Sequence, residues 1–329
     1  MVTGQSQMAA ISSVSRTGWG HLRATFRGAP PIPIFIAFML VFTALFSPVL
    51  IDMLPTRTAN CPGDACLKNP EDKYNPEAGN LAEKHYPPMG FTRNVRGLGE
   101  VSGDSHHIMG TDRLGRDVLA RLIEGGRMSL SIACLSIVIS AIIGTALGLM
   151  AGYYGRWLDA LLMRAVDLSL AFPAVLLALV FAVTFGPNFW WVVVVLVLIR
   201  WAHFARLVRG ETLALKERDF VALSQVAGAP VYRIIGVHIF PNLVNSIVVL
   251  GTLHVGSAII VEATLSFLGA GVPPPTPTWG EMIAGDRQFV RTAWWVSTAA
   301  GLAIALTVLS FNLMGDWLRD RLDPSLRTL

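Results

Sequence analysis

A chain of 329 residues that is 53% hydrophobic and only 15% charged, with a mean hydropathy of +0.54, is too apolar for an ordinary soluble domain and reads as a polytopic membrane protein. Its formal charge of +4 and isoelectric point near 9.2 would suit a nucleic-acid partner, but the 22 arginines and four lysines flank apolar runs and form no single basic block. The positive-inside bias of membrane proteins accounts for them, and no nucleic acid is expected.

Residues 1–33 open with a polar, Ser/Gly-rich stretch carrying Arg16, Arg23 and Arg27, and are expected in the cytoplasm. The apolar run 34–51 spans about 27 Å as a helix and has no small-residue cleavage site behind it, so it is expected to be an uncleaved first transmembrane helix. Residues 52–128 are polar, rich in Pro and Gly and charged in both signs, which predicts a long extracytoplasmic loop or subdomain. Cys61 and Cys66 lie there and are a candidate disulfide if the compartment is oxidising. Their spacing, with no second pair, is a poor zinc pattern, and no metal site is expected. His106 and His107 read as solvated loop residues.

Further apolar runs cover 129–153, 161–185, 189–202, 243–268 and 294–314, which makes six spans with the first. The fourth is short unless its helix runs on to about Arg209. Residues 129–318 are expected to form the core transmembrane domain and 319–329 a cytoplasmic tail. Counting from a cytoplasmic amino terminus places Arg156, Arg164, Arg206, Arg209, Lys216, Arg218, Arg233, Arg319, Arg321 and Arg327 inside, with both termini cytoplasmic. Trp190, Trp191, Trp294 and Trp295 then fall at outer ends, as interfacial aromatics.

Within the second run Gly144, Gly148 and Gly152 stand four apart and leave one smooth face for helix packing. Arg164 and Asp167 are placed to pair on one helix face. Glu262 sits in an apolar segment with no charged neighbour within a turn, so it must face a water-filled path, a polar partner or another subunit, or else snorkel to the outer interface, and is a candidate pathway or gate residue.

Between the fourth and fifth spans, DFVALSQVAGAPVYRIIGVHIFPN (219–242) reads as a short amphipathic helix, a glycine stop, a second short helix and a Pro-Asn start to the next span. Phe220, Leu223 and Ala227 share an apolar face, with Asp219, Ser224 and Gln225 off it. Either that face lies on lipid headgroups or it fits a groove on a cytoplasmic partner. The chain has no phosphate-binding glycine loop, no zinc-protease His-Glu motif and no nucleophile elbow, so no catalytic residue is assigned; the predicted spans hold few ionisable groups for ion coupling, and energy is expected from outside the chain.

Four segments, HIMGTDRLGRDVLARLIEGGRMSL (107–130), 219–242, EATLSFLGAGVPPPTPTWGEMI (262–283) and FNLMGDWLRDRLDP (311–324), together resemble the inner-membrane permeases of dipeptide and oligopeptide ABC importers. They are most similar to the C-type subunit of the permease pair. The likeness covers about 34–324 and is poorest over 52–106. It implies an all-α membrane protein with six transmembrane helices of the type I ABC importer permease kind, in a bacterial inner membrane. It also implies a cytoplasmic coupling helix, with Asp219, Phe220, Ala222, Leu223, Ser224, Ala227, Gly228 and Pro241 in the docking segment. Gly228 and Pro241 keep the family spacing, but the Glu-Ala-Ala positions are Ala222, Leu223 and Ser224, so the signature glutamate is missing.

The implied partners are a second permease, two cytoplasmic ATP-binding subunits that hold ATP and Mg, and an extracytoplasmic substrate-binding protein. The implied cargo is short peptides. Nickel, haem or a glycoside is the alternative within the fold, and a membrane scaffold or sensor is the alternative outside it.

Overall fold

The computed structural model describes residues 31–53, 77, 79, 81–95, 99–103 and 107–322; Cys61, Cys66 and His106 lie outside the described residues. Helices α1 (Pro31–Leu45) and α2 (Ser47–Met53) are separated by Phe46 alone. Phe46 N–H donates to Phe42 O at 2.9 Å and Leu50 N–H to Phe46 O at 2.8 Å, so the helical ladder carries across the interruption. A two-stranded antiparallel ribbon follows, β1 (Thr92–Val95) on β2 (Gly99–Ser102), with Thr92 opposite Ser102.

Helix α3 (Val118–Tyr154) begins at Asp117, whose carboxylate accepts from Ala120 N–H at 2.9 Å and satisfies one of the orphan donors of the first turn. Helices α4 (Arg156–Ala171) and α5 (Ala174–Phe185) come next, then α6 (Phe189–Lys216), α7 (Asp219–Val226), α8 (Val231–Phe267), α9 (Trp279–Asp286) and α10 (Trp294–Leu322). Of these, α3, α6, α8 and α10 are each long and apolar enough to cross a membrane, and the pair α4–α5 makes up to five.

The run 161–185, expected as one straight span, is bent by 84° between α4 and α5. Pro173 is the cause: it lacks an N–H, and its ring pushes Phe172 out of the α region to φ −76° and ψ 130°. The fourth run does lengthen, past Arg209 to Lys216. The second short helix and the fifth span, expected as separate elements, are one continuous helix, α8, through a π-helical stretch Ile234–Ile239. Phe240 N–H reaches back to Ile235 O, a five-residue step, just ahead of Pro241, which has no N–H to offer the ladder.

Helices α3 and α6 make the central contact, and the glycine stripe is its seam. A Cβ on Gly144 would lie 2.4 Å from Trp201 O, on Gly148 2.6 Å from Ala205 O, and on Gly152 2.7 Å from Thr212 Cβ, so the two backbones touch where side chains are absent. Charges fasten the α7 end of the bundle. Arg209 of α6 grips Asp159 of α4 through two bonds of 2.9 and 2.7 Å, and Lys216 Nζ donates to Tyr153 O at 2.6 Å, covering a free carbonyl at the end of α3. Asp167 of α4 pairs with Arg206 of α6 at 2.8 Å and not with Arg164 on its own helix.

Candidate functional site

Helix α7 is short because its end is built as a stop. Gly228 takes φ +74°, its N–H donates to Gln225 O, and Ala229 N–H reaches Ser224 O, both at 3.0 Å; this is a Schellman closure that needs a left-handed residue at Gly228. Val221 is the anchor. It is fully buried in a cluster with Tyr153 of α3, Val208 of α6 and Ile234, Ile239 and Leu243 of α8.

With Val221 turned inward, the opposite face is left bare: Phe220 is 41% exposed, Leu223 68% and Val226 87%. Ala222 and Ala227 are also exposed, and Ser224 is half-buried with its hydroxyl donating to Phe220 O at 2.8 Å. Asp219, at the helix start, is exposed and sits favourably at the positive end of the helix dipole. The sequence-derived face of Phe220, Leu223 and Ala227 is therefore open, and Val226 extends it. Spacing alone leaves Val226 out because Val221, also apolar, is free to be either the anchor or part of the face. Pro241 lies a turn beyond His238, whose carbonyl accepts from Asn242 Nδ2 at 2.6 Å.

At the opposite end of the bundle, the loop before α3 folds onto α9 through buried charges. Asp112 accepts from Leu114 and Arg116 N–H groups at 2.8 and 2.9 Å and from Arg116 Nε at 2.6 Å, while Arg121 is paired to Glu281 and lies 3.6 Å from Asp112. His85 meets Asp286 at 3.0 Å, and His107 meets Asp117 at 2.9 Å. His107 is thus buried and paired, not solvated, since the loop that carries it is pressed against α3. Trp295 is likewise buried and donates to Thr111 O at 3.1 Å, whereas Trp190 and Trp294 stay exposed.

A cavity of about 340 Å³ opens beside this loop, lined by Arg113, Phe267, Pro273, Pro274 and Arg287. Arg287 packs its guanidinium 5.3 Å from the centre of the Phe267 ring.

Glu262 is enclosed within this chain. It is 0% exposed and accepts from Ser129 Oγ at 3.1 Å and Ser266 Oγ at 2.8 Å, and Ser129 also accepts from Trp279 N–H at 3.3 Å. The structure gives it polar partners within the chain, a knot that ties α8 to α3 and α9. Replacing Glu262 by Leu strands those hydroxyls, and a loss of about 1–3 kcal/mol is expected in thermal unfolding, with Glu262→Gln closer to the parent. Among the described residues no group of three or more His, Cys, Asp or Glu side chains could hold a metal ion.

The profile of the family described as binding-protein-dependent transport system inner membrane component matches residues 144–328. The dipeptide transport system permease protein of Escherichia coli K12 is 48% identical over 228 residues, covering 69% of this chain and 76% of that protein. The di/tripeptide transport system permease protein of Pseudomonas aeruginosa UCBPP-PA14 is 44% identical, covering 68% and 74%. The glutathione transport system permease protein of Pectobacterium atrosepticum is also 44% identical, covering 68% and 74%. A solved chain of the MetNI methionine ABC transporter in an inward-facing conformation superposes with a TM-score of 0.50 at 18% identity, over 62% of this chain and 97% of that one. That likeness concerns the fold.

Proposed function

The chain belongs to the family of binding-protein-dependent transport system inner membrane components, and on that premise we propose that it is the permease subunit of an ATP-driven importer of short peptides. The cargo follows the relatives, among which dipeptide, di/tripeptide and glutathione carriers share one chemistry, a short backbone with a free carboxylate. In this reading α1 and α2 together make a first span and the bent pair α4–α5 a third, for six in all, with both termini and α7 on the cytoplasmic side. ATP and Mg are handled by two separate subunits. A second permease completes the path, and a binding protein delivers cargo to the end that carries α9 and the arginine-rimmed cavity.

The observation that carries the reading is α7: a rigidly stopped two-turn helix, anchored by Val221, whose opposite apolar face is left largely open by the described residues. Such a face fits a cleft on an ATP-binding subunit. The signature glutamate is absent, so shape and apolar burial through Phe220, Leu223 and Val226 carry the docking.

The test is uptake of labelled dialanine by vesicles holding the complete complex, with ATP supplied to the ATPase side. Accumulation that depends on ATP and on the binding protein is expected; its absence, with no stimulation of ATP hydrolysis by peptides, would sink the assignment. For docking, Leu223→Asp is expected to strip the ATPase subunits during co-purification while leaving membrane insertion intact. Undiminished ATPase recovery with that variant would refute the role of α7.

A further inference from the structure

Arg200 stands near the middle of α6, about 16 Å from Phe189 by the helical rise. It is only 8% exposed, yet the ion pairs of the described residues all involve other groups. Its Nη1 meets His254 Nδ1 of α8 at 3.0 Å, where the always-protonated guanidinium donates and the imidazole accepts, so that histidine brings no charge to balance it. Arg200 Nε is buried without a partner among the described residues, and the ring of His203 packs 5.1 Å from that of His254. A lone cation held inside an apolar span is costly to fold around and needs a reason beyond packing.

Its position supplies one. A cavity of about 500 Å³ lies at the α7 end between α6, α8 and α10, with Leu207, Glu211, Ser246, Leu250 and Arg319 in its wall. Residues 211, 207 and 203 step up one face of α6 four at a time, with Arg200 three further on. Residues 246, 250 and 254 do the same on α8, also four at a time. The two rows that wall the cavity therefore rise to the Arg200–His254 contact. Helix α8 is also the least buried of the four long helices, although it carries Asn242, Asn245, Thr252 and His254, a poor set of groups to turn toward lipid.

We propose that Arg200, flanked by His203 and His254, is a carboxylate-binding station above this cavity, occupied by the carboxylate of the cargo on its way through the membrane. A guanidinium matches a carboxylate through paired N–H bonds, and the Nε left open by His254 is one of the donors such a pairing uses. The inference rests on the import reading for its ligand. The same chemistry has one other source, an Asp or Glu of the second permease, and the experiment separates the two.

The complete complex is reconstituted with its binding protein, and dialanine uptake is measured for the parent, Arg200→Met and Arg200→Lys. Because methionine removes an unpaired buried charge, the Met variant is expected to fold, to co-purify with all its partners and to melt no lower than the parent, while uptake falls at least tenfold; lysine restores part of it. Loss of the second permease from the Met variant would locate the carboxylate on that chain. An Arg200→Met complex that is intact and transports at the parental rate would overturn the station. Parental vesicles that accumulate no dialanine would instead overturn the import reading.

Discussion

Glu281→Ala is expected to destabilise the permease by about 3–5 kcal/mol, the usual effect of removing one partner from a buried ion pair. Arg121 is 1% exposed and Arg116 3%, and both guanidinium groups share two carboxylates, Asp112 and Glu281. Without Glu281, two buried cations are left with one anion. For a membrane protein of this size such a loss lowers the midpoint of thermal unfolding by roughly 10 °C. The double variant Arg121→Met, Glu281→Leu replaces the pair by apolar groups of similar length and should recover most of the loss, because the unpaired charge, and not the missing attraction, is what harms the single variant. Equal midpoints for Glu281→Ala and the parent, measured in the same detergent, would show that the cluster holds nothing together.

Gly144→Leu should be worse. A Cβ alone at that position would approach Phe204 Cβ to 2.5 Å and Trp201 O to 2.4 Å, and neither atom can move without displacing α6. Overpacking of this kind costs about 1–3 kcal/mol when a side chain can yield and more when backbone must shift. The expected result is loss of folded permease from the membrane fraction. Gly251→Ala is the control, since its nearest neighbour would be Ile137 Cγ2 at a comfortable 3.7 Å. Normal yield of Gly144→Leu would mean that α3 and α6 do not touch as described.

Hydropathy made the long helices legible, since residues that cross a membrane must be apolar whatever they pack against. The bend at Pro173 was written in the sequence too, but length made 161–185 look like a single span. Pairings between distant segments were harder to read. Nothing near Arg121 announces Glu281, 160 residues away, and charged loop residues that end up buried look like those left in water. Glu262 was recognised as needing company, whereas Ser129 and Ser266, which provide it, are too common in helices to stand out. Arg200 lies two residues from the end of the apolar run 189–202, and only the helix's continuation to Lys216 sets it near the middle of α6, facing His254 of α8. For α7 the period of the apolar residues was clear, but the choice of inward side depended on the cluster that receives Val221.

The way α7 is mounted fixes how it can respond to a push. Only Glu217 and Arg218 separate it from α6, and residues 227–230 separate it from α8, with the Gly228 closure taking up the slack in between. Val221 rests on side chains of α3, α6 and α8 together. Force applied to the bare face of α7 thus has no compliant element in which to dissipate, and is shared among three long helices at once. Stiffening this junction further should change little, whereas inserting a few glycines after Val226 would uncouple motion on one side of the bilayer from motion on the other, even with every contact surface left unaltered.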